Sequence, residues 1–270
     1  MAEFTLVIGN RNYSSWSLRC WLMAKIAGID FDEIVVPLDR PETSAAIRNH
    51  SPSGCVPVLR HGGVAVWESL AIAEYLNDIR PDAGLWPASV MARAHARAVS
   101  AEMHAGFAAL RTHMPMDIRA SHPGQGMTPE VRADIDRITG LWRDCRQRFA
   151  KMASRDDGFL FGTISAVDAM YAPVVTRFRT YGVKLGADAD VDEVPSHNLV
   201  LSNVLEQKLR WTIIVKQIAC IVTPLDAFIE LVRARGRLFH QDLSWSSPSL
   251  GSEVKNWEHA PHGVIDCQSV

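Results

Sequence analysis

The sequence lacks a paired cysteine motif, an excess of charge of one sign and a long uninterrupted apolar run. Five cysteines are spread along 270 residues without a Cys-x-x-Cys pair, which argues against a disulfide framework or a zinc site and is typical of a reducing compartment. A formal net charge of -2 gives no reason to expect nucleic acid as a partner. We therefore expect neither a metal site nor a nucleic-acid partner.

Targeting and membrane segments are equally hard to find. The N-terminus carries Glu3 and only a few apolar residues before Gly9, which is unlike a signal peptide. The most apolar later run, residues 211–222, is interrupted by Lys216 and is too short to span a bilayer. Our expectation is a cytoplasmic protein with no membrane partner.

What is present first is an alternation of short β-type runs and helical patterns over about the first 80 residues. This part predicts the order β-α-β-α-β-β-α and a compact mixed α/β domain at 1–81. Strand, helix and strand in succession predict a parallel first pair. The turn around Gly62 predicts that the last two strands form an antiparallel hairpin.

The strand signals vanish after a linker at 82–89. Helical patterns at 90–111, 128–152 and 169–181, the last behind the capping-box sequence Ser165-Ala-Val-Asp168, predict an all-α helical bundle at 90–188. Beyond that point the periodicity degrades. We predict an atypical, partly disordered tail at 189–270, which is either native or the product of a shifted reading frame.

Three serines are crowded where the first helical pattern begins. Ser14, Ser15 and Ser17 flank Trp16, just after a short apolar run that ends at Gly9. A helix start offers free N–H groups and a positive dipole end, both of which favour an anion. A serine hydroxyl there either caps the helix or donates a hydrogen bond to a bound thiolate. On these residues alone, a plain helix cap is the favoured interpretation.

Three segments together support more than each does alone: Ser14–Arg19, Ser51–Leu59 and Glu68–Leu76. In this order and at these spacings the chain resembles the cytosolic glutathione S-transferases that use serine, and most of all the zeta class, the maleylacetoacetate isomerases. The resemblance implies a thioredoxin-like N-terminal domain and a helical C-terminal domain. It also implies glutathione as co-substrate, a homodimer and a role in detoxification.

The implied reaction is the attack of a glutathione thiolate on a small electrophilic, hydrophobic substrate. By the resemblance, Ser14 is the first candidate for the hydroxyl that stabilises the thiolate, and Ser15 is the second. Ser17 is then expected to cap the helix. Tyr13 competes for the role because some classes use tyrosine. Lowering the thiol pKa by one unit requires about 1.4 kcal/mol of preferential thiolate stabilisation, which a charge-assisted hydrogen bond can supply.

The resemblance also implies which residues bind glutathione. Pro57 matches a cis-proline of the family, and the main chain of Val56 is expected to pair with the cysteinyl backbone. Glu68 is expected to attract the γ-glutamyl amino group, while Ser69 takes the α-carboxylate at a helix start. Candidates for the glycyl carboxylate are Arg19, Arg40 and Arg48. The second-substrate pocket is expected to include Trp16, Met103, His104 and Phe107.

Position 16 separates the chain from the class it resembles most. Zeta-class enzymes carry a cysteine where Trp16 stands, so transferase activity is our main prediction and glutathione-dependent cis-trans isomerisation is an alternative. A non-catalytic glutathione-binding relative is another alternative, because a fold does not fix a function. A glutathione-dependent thiol reductase would need a cysteine at position 14 or 15.

Overall fold

The structure is a computed structural model, and it describes residues 2–185. The predicted tail at 189–270, and the predicted end of the helical part at 188, lie outside these residues. The described elements follow one another as β1 Phe4–Ile8, α1 Ser15–Ile26, β2 Phe31–Val35, α2 Thr43–Arg48, β3 Val58–His61, β4 Val64–Trp67, α3 Ser69–Ile79, α4 Val90–Ala105, α5 Ala108–His113, α6 Pro129–Phe149 and α7 Ala166–Thr180.

The first part has the predicted β-α-β-α-β-β-α order of a thioredoxin-like domain, built on a sheet with the strand order β2-β1-β3-β4. β1 and β2 are parallel, with Phe4 opposite Phe31, and β3 and β4 are antiparallel, with Val58 opposite Trp67. Both predicted pairings are therefore confirmed. The carboxyl ends of β1 and β2 share one edge of the sheet, where α1 begins and where α/β folds commonly bind ligands.

One buried core runs through the thioredoxin-like part and the helical part. α1 packs against α3 and α7, and α3 packs against α4. Because α1 is covered on more than one side, nine of its 12 residues are buried, including Leu18, Trp21 and Leu22. The shared core means that groups on α4 and α7 can reach the beginning of α1. The division into domains at 82–89 stays a prediction.

The single helix predicted at 90–111 is wrong, because the chain breaks there. α4 ends at Ala105 and α5 starts at Ala108, with Phe107 in the left-handed backbone region at φ 60°. A side chain at Gly106 would place its Cβ 2.8 Å from the carbonyl oxygen of Glu102. The glycine therefore permits a close turn that a larger residue would obstruct.

The two later helices begin as the sequence predicts. Thr128 caps α6 and accepts the N–H of Val131 at 3.3 Å. Ser165 and Asp168 form the predicted capping box of α7, in which Asp168 Oδ2 accepts the Ser165 N–H at 2.8 Å. The Ser165 hydroxyl donates to the same oxygen at 2.7 Å, and the N–H of Leu160 donates to Oδ1 at 3.1 Å. This buried carboxylate fixes the start of the helix that packs on α1.

The cysteines have different states. Cys20 and Cys145 are free and buried, whereas Cys55 is disulfide-bonded, which the lack of a paired motif did not predict. Among residues 2–185 no three or more histidine, cysteine or acidic side chains are grouped as a metal site would require. In the same stretch, no helix has the length and apolar character needed to cross a membrane.

Candidate functional site

The start of α1 is held by a small network of serine hydroxyls. Ser14 is the N-cap, and its Oγ accepts the Ser17 N–H at 3.3 Å. Ser17 Oγ accepts the Ser14 hydroxyl at 2.7 Å and the N–H of Gly9 at 2.9 Å. The prediction that Ser17 caps the helix is therefore wrong, because Ser17 lies inside the first turn and ties it to the end of β1. Ser14 is the cap, and its hydroxyl belongs to the same network.

Ser15 and Arg19 form the next turn of the same helix. Arg19 is fully buried and donates from Nη1 to Ser15 Oγ at 3.4 Å and from Nε to the carbonyl of Met170 on α7 at 2.9 Å. Burial, followed by the charges of Arg177 and Arg111, holds the pKa of this guanidinium well below its usual value. Arg19 as a partner of the glycyl carboxylate is therefore wrong, because its fork is enclosed between two helices.

A second helix start lies at the junction of β4 and α3. Glu68 is the N-cap of α3 in the left-handed region, at φ 69°, without a capping hydrogen bond from its side chain. Ser69 is the first residue of the helix and is 1% exposed. A non-glycine residue held in this backbone region is costly and is often found at ligand sites. The pair combines an acidic side chain with a hydroxyl at a helix end that favours an anion.

His104 reaches this junction from α4. Its Nδ1 lies 3.3 Å from Ser69 Oγ, and its Nε2 lies 3.6 Å from Glu68 Oε2. Its ring also makes an edge-type contact with Trp16, with the ring centroids 5.1 Å apart. We call Trp16, Glu68, Ser69 and His104 the His104 cluster. The sequence predicted Trp16 and His104 for the second-substrate pocket, and the structure brings both to the Glu68–Ser69 pair.

Trp16 connects this cluster to the buried arginine of α1. The guanidinium of Arg19 lies 4.3 Å from the centre of the indole, and that of Arg111 on α5 lies 5.7 Å away. Both distances suit a cation–π contact. The indole therefore contacts both guanidinium groups and the imidazole of His104.

Other predicted site residues lie on the segments that precede β3 and α2. The Val56–Pro57 peptide bond is cis, as the resemblance implied, and Pro57 is buried at the start of β3. Arg40 lies in the exposed segment before α2, where its backbone N–H donates to Thr43 Oγ1 at 3.0 Å. The binding roles of these residues stay predictions.

Two of the four residues predicted for the second-substrate pocket face the core instead. Met103 has no exposed surface and Phe107 is 7% exposed. Their helical spacing could not distinguish a pocket lining from a core face. Both residues pack in the core that the two parts of the chain share, so the described structure does not join them to the His104 cluster.

A cleft that the sequence did not predict opens beside the loop before α1, with a volume of about 540 Å³. Asn12 braces it, because Oδ1 accepts the N–H of Arg119 at 3.0 Å and Nδ2 donates to Asp117 Oδ1 at 2.6 Å. Tyr13 is 56% exposed here. The loop at 117–120 carries no motif, so no sequence signal indicated it. The lining residues are Asn10, Arg11, Asn12, Tyr13, Val35, Asp117, Arg119 and Ala120.

Comparisons with known proteins bear on this geometry. Residues 13–79 match the family model described as the glutathione S-transferase N-terminal domain. A probable glutathione transferase of Aplysia californica is 35% identical over 82 residues, which cover 30% of this chain and 87% of that protein. The chain belongs to the glutathione S-transferase family. Residues 13–79, which match the family model, include the start of α1, the cis-proline and every member of the His104 cluster except His104 itself.

More distant relatives agree with this family membership. A probable maleylacetoacetate isomerase of Caenorhabditis elegans is 26% identical over 187 residues, or 67% of this chain and 85% of that protein. Among solved structures, the tau-class glutathione S-transferase from mango, Mangifera indica, has a TM-score of 0.56 at 15% identity and covers 86% of this chain and 98% of its own. The theta-class enzyme of Xanthomonas axonopodis pv. citri, solved with glutathione bound, has a TM-score of 0.55 at 20% identity, covering 78% and 98%. These two likenesses show the fold of the transferase.

Proposed function

We propose that the protein is a glutathione transferase, which binds glutathione, activates it as a thiolate and adds it to a small electrophile. The observation that carries this proposal is the meeting of two helix starts. Ser14 lies at the start of α1 and Ser69 at the start of α3, and they are linked through Trp16 and His104. Each start favours an anion. A single tripeptide that carries a thiolate and an α-carboxylate satisfies both.

The serine network explains how Ser14 would stabilise the thiolate. Ser14 now donates its hydroxyl hydrogen to Ser17. Rotation of the two hydroxyl groups reverses this bond, so that Ser17 donates to Ser14 and Ser14 donates to the sulfur. The N–H of Gly9 still donates to Ser17 Oγ, so each oxygen remains satisfied and the chain of donors polarises the last one. Ser15, supported by Arg19, is the second candidate.

The remaining residues hold the tripeptide in place. Glu68 attracts the γ-glutamyl ammonium group, and Ser69 offers its hydroxyl and its backbone N–H to the α-carboxylate. The main chain of Val56 pairs with the cysteinyl backbone, and Arg40 is the candidate for the glycyl carboxylate. With an aryl halide as substrate, the thiol first loses its proton to solvent. The sulfur lone pair then forms the carbon–sulfur bond, and the carbon–halogen bond breaks to release halide.

The test is glutathione binding and the conjugation of a generic aryl halide, with Ser14→Ala and Ser15→Ala as a matched pair. We expect Ser14→Ala to raise the pKa of the bound glutathione thiol. At a pH below the thiol pKa of the wild-type complex, each unit of this rise should lower kcat/KM by about tenfold. Ser15→Ala should retain most of the activity. Because Ser14 also caps α1, its loss costs about 1 kcal/mol of stability, so circular dichroism must show that the variant is folded.

Each result of this experiment discriminates between the alternatives. Loss of activity in Ser15→Ala alone would transfer the donor role to Ser15. Glutathione binding without turnover in the wild-type protein would favour a non-catalytic relative. The absence of glutathione binding would contradict the proposal as a whole.

Glutathione-dependent cis-trans isomerisation is the second candidate function. The similarity to the Caenorhabditis elegans protein, which extends over 67% of this chain, favours it. Trp16 stands against it, because the class carries a cysteine at that position. Isomerisation of maleylacetoacetate in the presence of glutathione, without conjugation of aryl halides, would make this the function.

The setting that the resemblance implies is part of the same proposal. The protein acts as a homodimer in the cytoplasm and serves detoxification. Sedimentation of the purified chain tests the dimer, because a monomer at assay concentration would remove that part of the proposal and leave the chemistry intact.

A further inference from the structure

His104 joins two parts of the chain at the Glu68–Ser69 pair. Its ring stands on α4, in the helical part, whereas the pair belongs to the thioredoxin-like part. The Nδ1 atom lies 3.3 Å from Ser69 Oγ and the Nε2 atom 3.6 Å from Glu68 Oε2. The side chain of His104 is 21% exposed, so the ring is packed in place and still open to a ligand on one side.

We infer that His104 is a third binding residue for the γ-glutamyl end of glutathione, and that it holds the α-carboxylate together with Ser69 in the protonated imidazolium form. The inference rests on the proposed function, since it needs glutathione at this site. The inference goes beyond the proposed function because it assigns His104 to the binding of glutathione, the co-substrate, rather than to the second-substrate pocket. It also makes the binding of glutathione depend on a proton.

The surroundings of the ring, burial first among them, favour a neutral imidazole before the ligand arrives. Burial lowers the pKa of His104. Glu68, from the start of α3, opposes this effect, while Arg19 of α1 and Arg111 of α5 add to it. At neutral pH the ring is therefore mostly uncharged. The ligand brings its ammonium group to Glu68 and its α-carboxylate to Ser69. The ammonium pairs with Glu68, whose Oε2 lies 3.6 Å from Nε2, whereas the carboxylate accepts the ring N–H directly. This direct bond to the charged form outweighs the ammonium and raises the pKa, so the ring takes up a proton as the ligand binds.

The sign of the pH dependence follows from this linkage. The pKa of His104 is higher in the complex than in the free protein. The extra affinity is thus fully present below the pKa of the free protein and is lost as the pH rises through the pKa of the complex. The thiol of glutathione has the opposite effect, because its pKa falls on binding and a proton is released. S-methylglutathione has no thiol, so its binding reports the proton uptake of the histidine alone.

The experiment is calorimetric titration of the full chain with S-methylglutathione near pH 6.5, about the ordinary pKa of histidine. Two buffers that differ in ionisation enthalpy reveal the number of protons exchanged. We expect net proton uptake by the wild-type protein and none by His104→Gln. The variant should also bind about tenfold more weakly, because a charge-assisted hydrogen bond is replaced by a neutral one. The control is His113→Gln, an exposed position at the end of α5, which should behave like the wild type.

The outcomes separate this inference from the proposed function. Binding without proton uptake by the wild-type protein overturns the role of His104 and leaves glutathione binding intact, and this holds whether or not His104→Gln folds. Equal uptake by the wild type and by a folded His104→Gln also overturns it. If S-methylglutathione and glutathione both fail to bind, the proposed function fails together with the inference.

Discussion

Replacing Ser17 with alanine tests the serine network with the smallest change that the site allows. The substitution removes one oxygen, which accepts the Gly9 N–H at 2.9 Å and the Ser14 hydroxyl at 2.7 Å. Ser17 is 2% exposed and Gly9 is buried, so water cannot easily replace the missing acceptor. The helix cap at Ser14 remains, because the cap bond uses the backbone N–H of Ser17 rather than its side chain.

The size of the effect can be worked out from these two bonds. The Gly9 N–H is left without an acceptor, and a buried unsatisfied donor costs about 1–3 kcal/mol. The Ser14 hydroxyl is free to turn elsewhere, so its loss adds little. We expect a fall in the free energy of unfolding of about 2 kcal/mol. Ser14 also loses the donor that would orient it toward the sulfur, so the pKa of bound glutathione should rise by roughly one unit, equivalent to about 1.4 kcal/mol.

Two measurements are needed because the two effects have separate causes. Urea unfolding followed by circular dichroism gives the stability, and ultraviolet absorbance of the thiolate against pH gives the pKa of bound glutathione. Ser17→Thr is the matched control, since it keeps an oxygen at the same position. An unchanged stability would refute the buried hydrogen bond to Gly9. A fall in stability with an unchanged thiol pKa would refute the donor chain from Ser17 to Ser14.

Two further predictions concern buried groups away from the serines. Asp168→Ala leaves three buried donors of Leu160 and Ser165 without their acceptor and should lower the free energy of unfolding by about 4 kcal/mol. Asp168→Asn, the control, should lose clearly less, and equal losses in urea unfolding would contradict this prediction. Burial raises the pKa of Cys20 and raises that of Cys145 to about 12, so both thiols should resist alkylation in the native protein. Detection of either labelled cysteine by mass spectrometry before unfolding would refute this prediction.

Much of the fold could be predicted because its signals are local. The strands alternate with helices at short range, a glycine marks the hairpin turn at Gly62, and Ser165 and Asp168 sit at the spacing of a capping box. Each of these patterns depends on residues within a few positions of one another. The structure confirms the element order, both strand pairings and the capping box.

The features of the site that could not be predicted depend on contacts between residues that are far apart in the sequence. The contact of His104 with Ser69 joins positions 35 apart, and the bond of Arg19 to Met170 joins positions 151 apart. The resemblance placed His104 and Met103 in one predicted pocket, but only packing decides which of them meets the site and which meets the core. The wrong assignment of the cap to Ser17 has a different cause, because three neighbouring serines satisfy the same local rule.

Position 16 now has a physical explanation. Arg19 is fully buried, and the groups that raise its pKa are Cys20 and Tyr171, neither of which carries a charge at neutral pH. Its charge is compensated by the Met170 carbonyl and the Ser15 hydroxyl, and by the face of Trp16, whose ring centre lies 4.3 Å from the guanidinium. The same ring also makes an edge-type contact with His104. A cysteine here, as in the isomerase class, would remove the cation–π contact with Arg19 and the ring contact with His104, so the indole and the proposed binding role of the histidine belong to one arrangement.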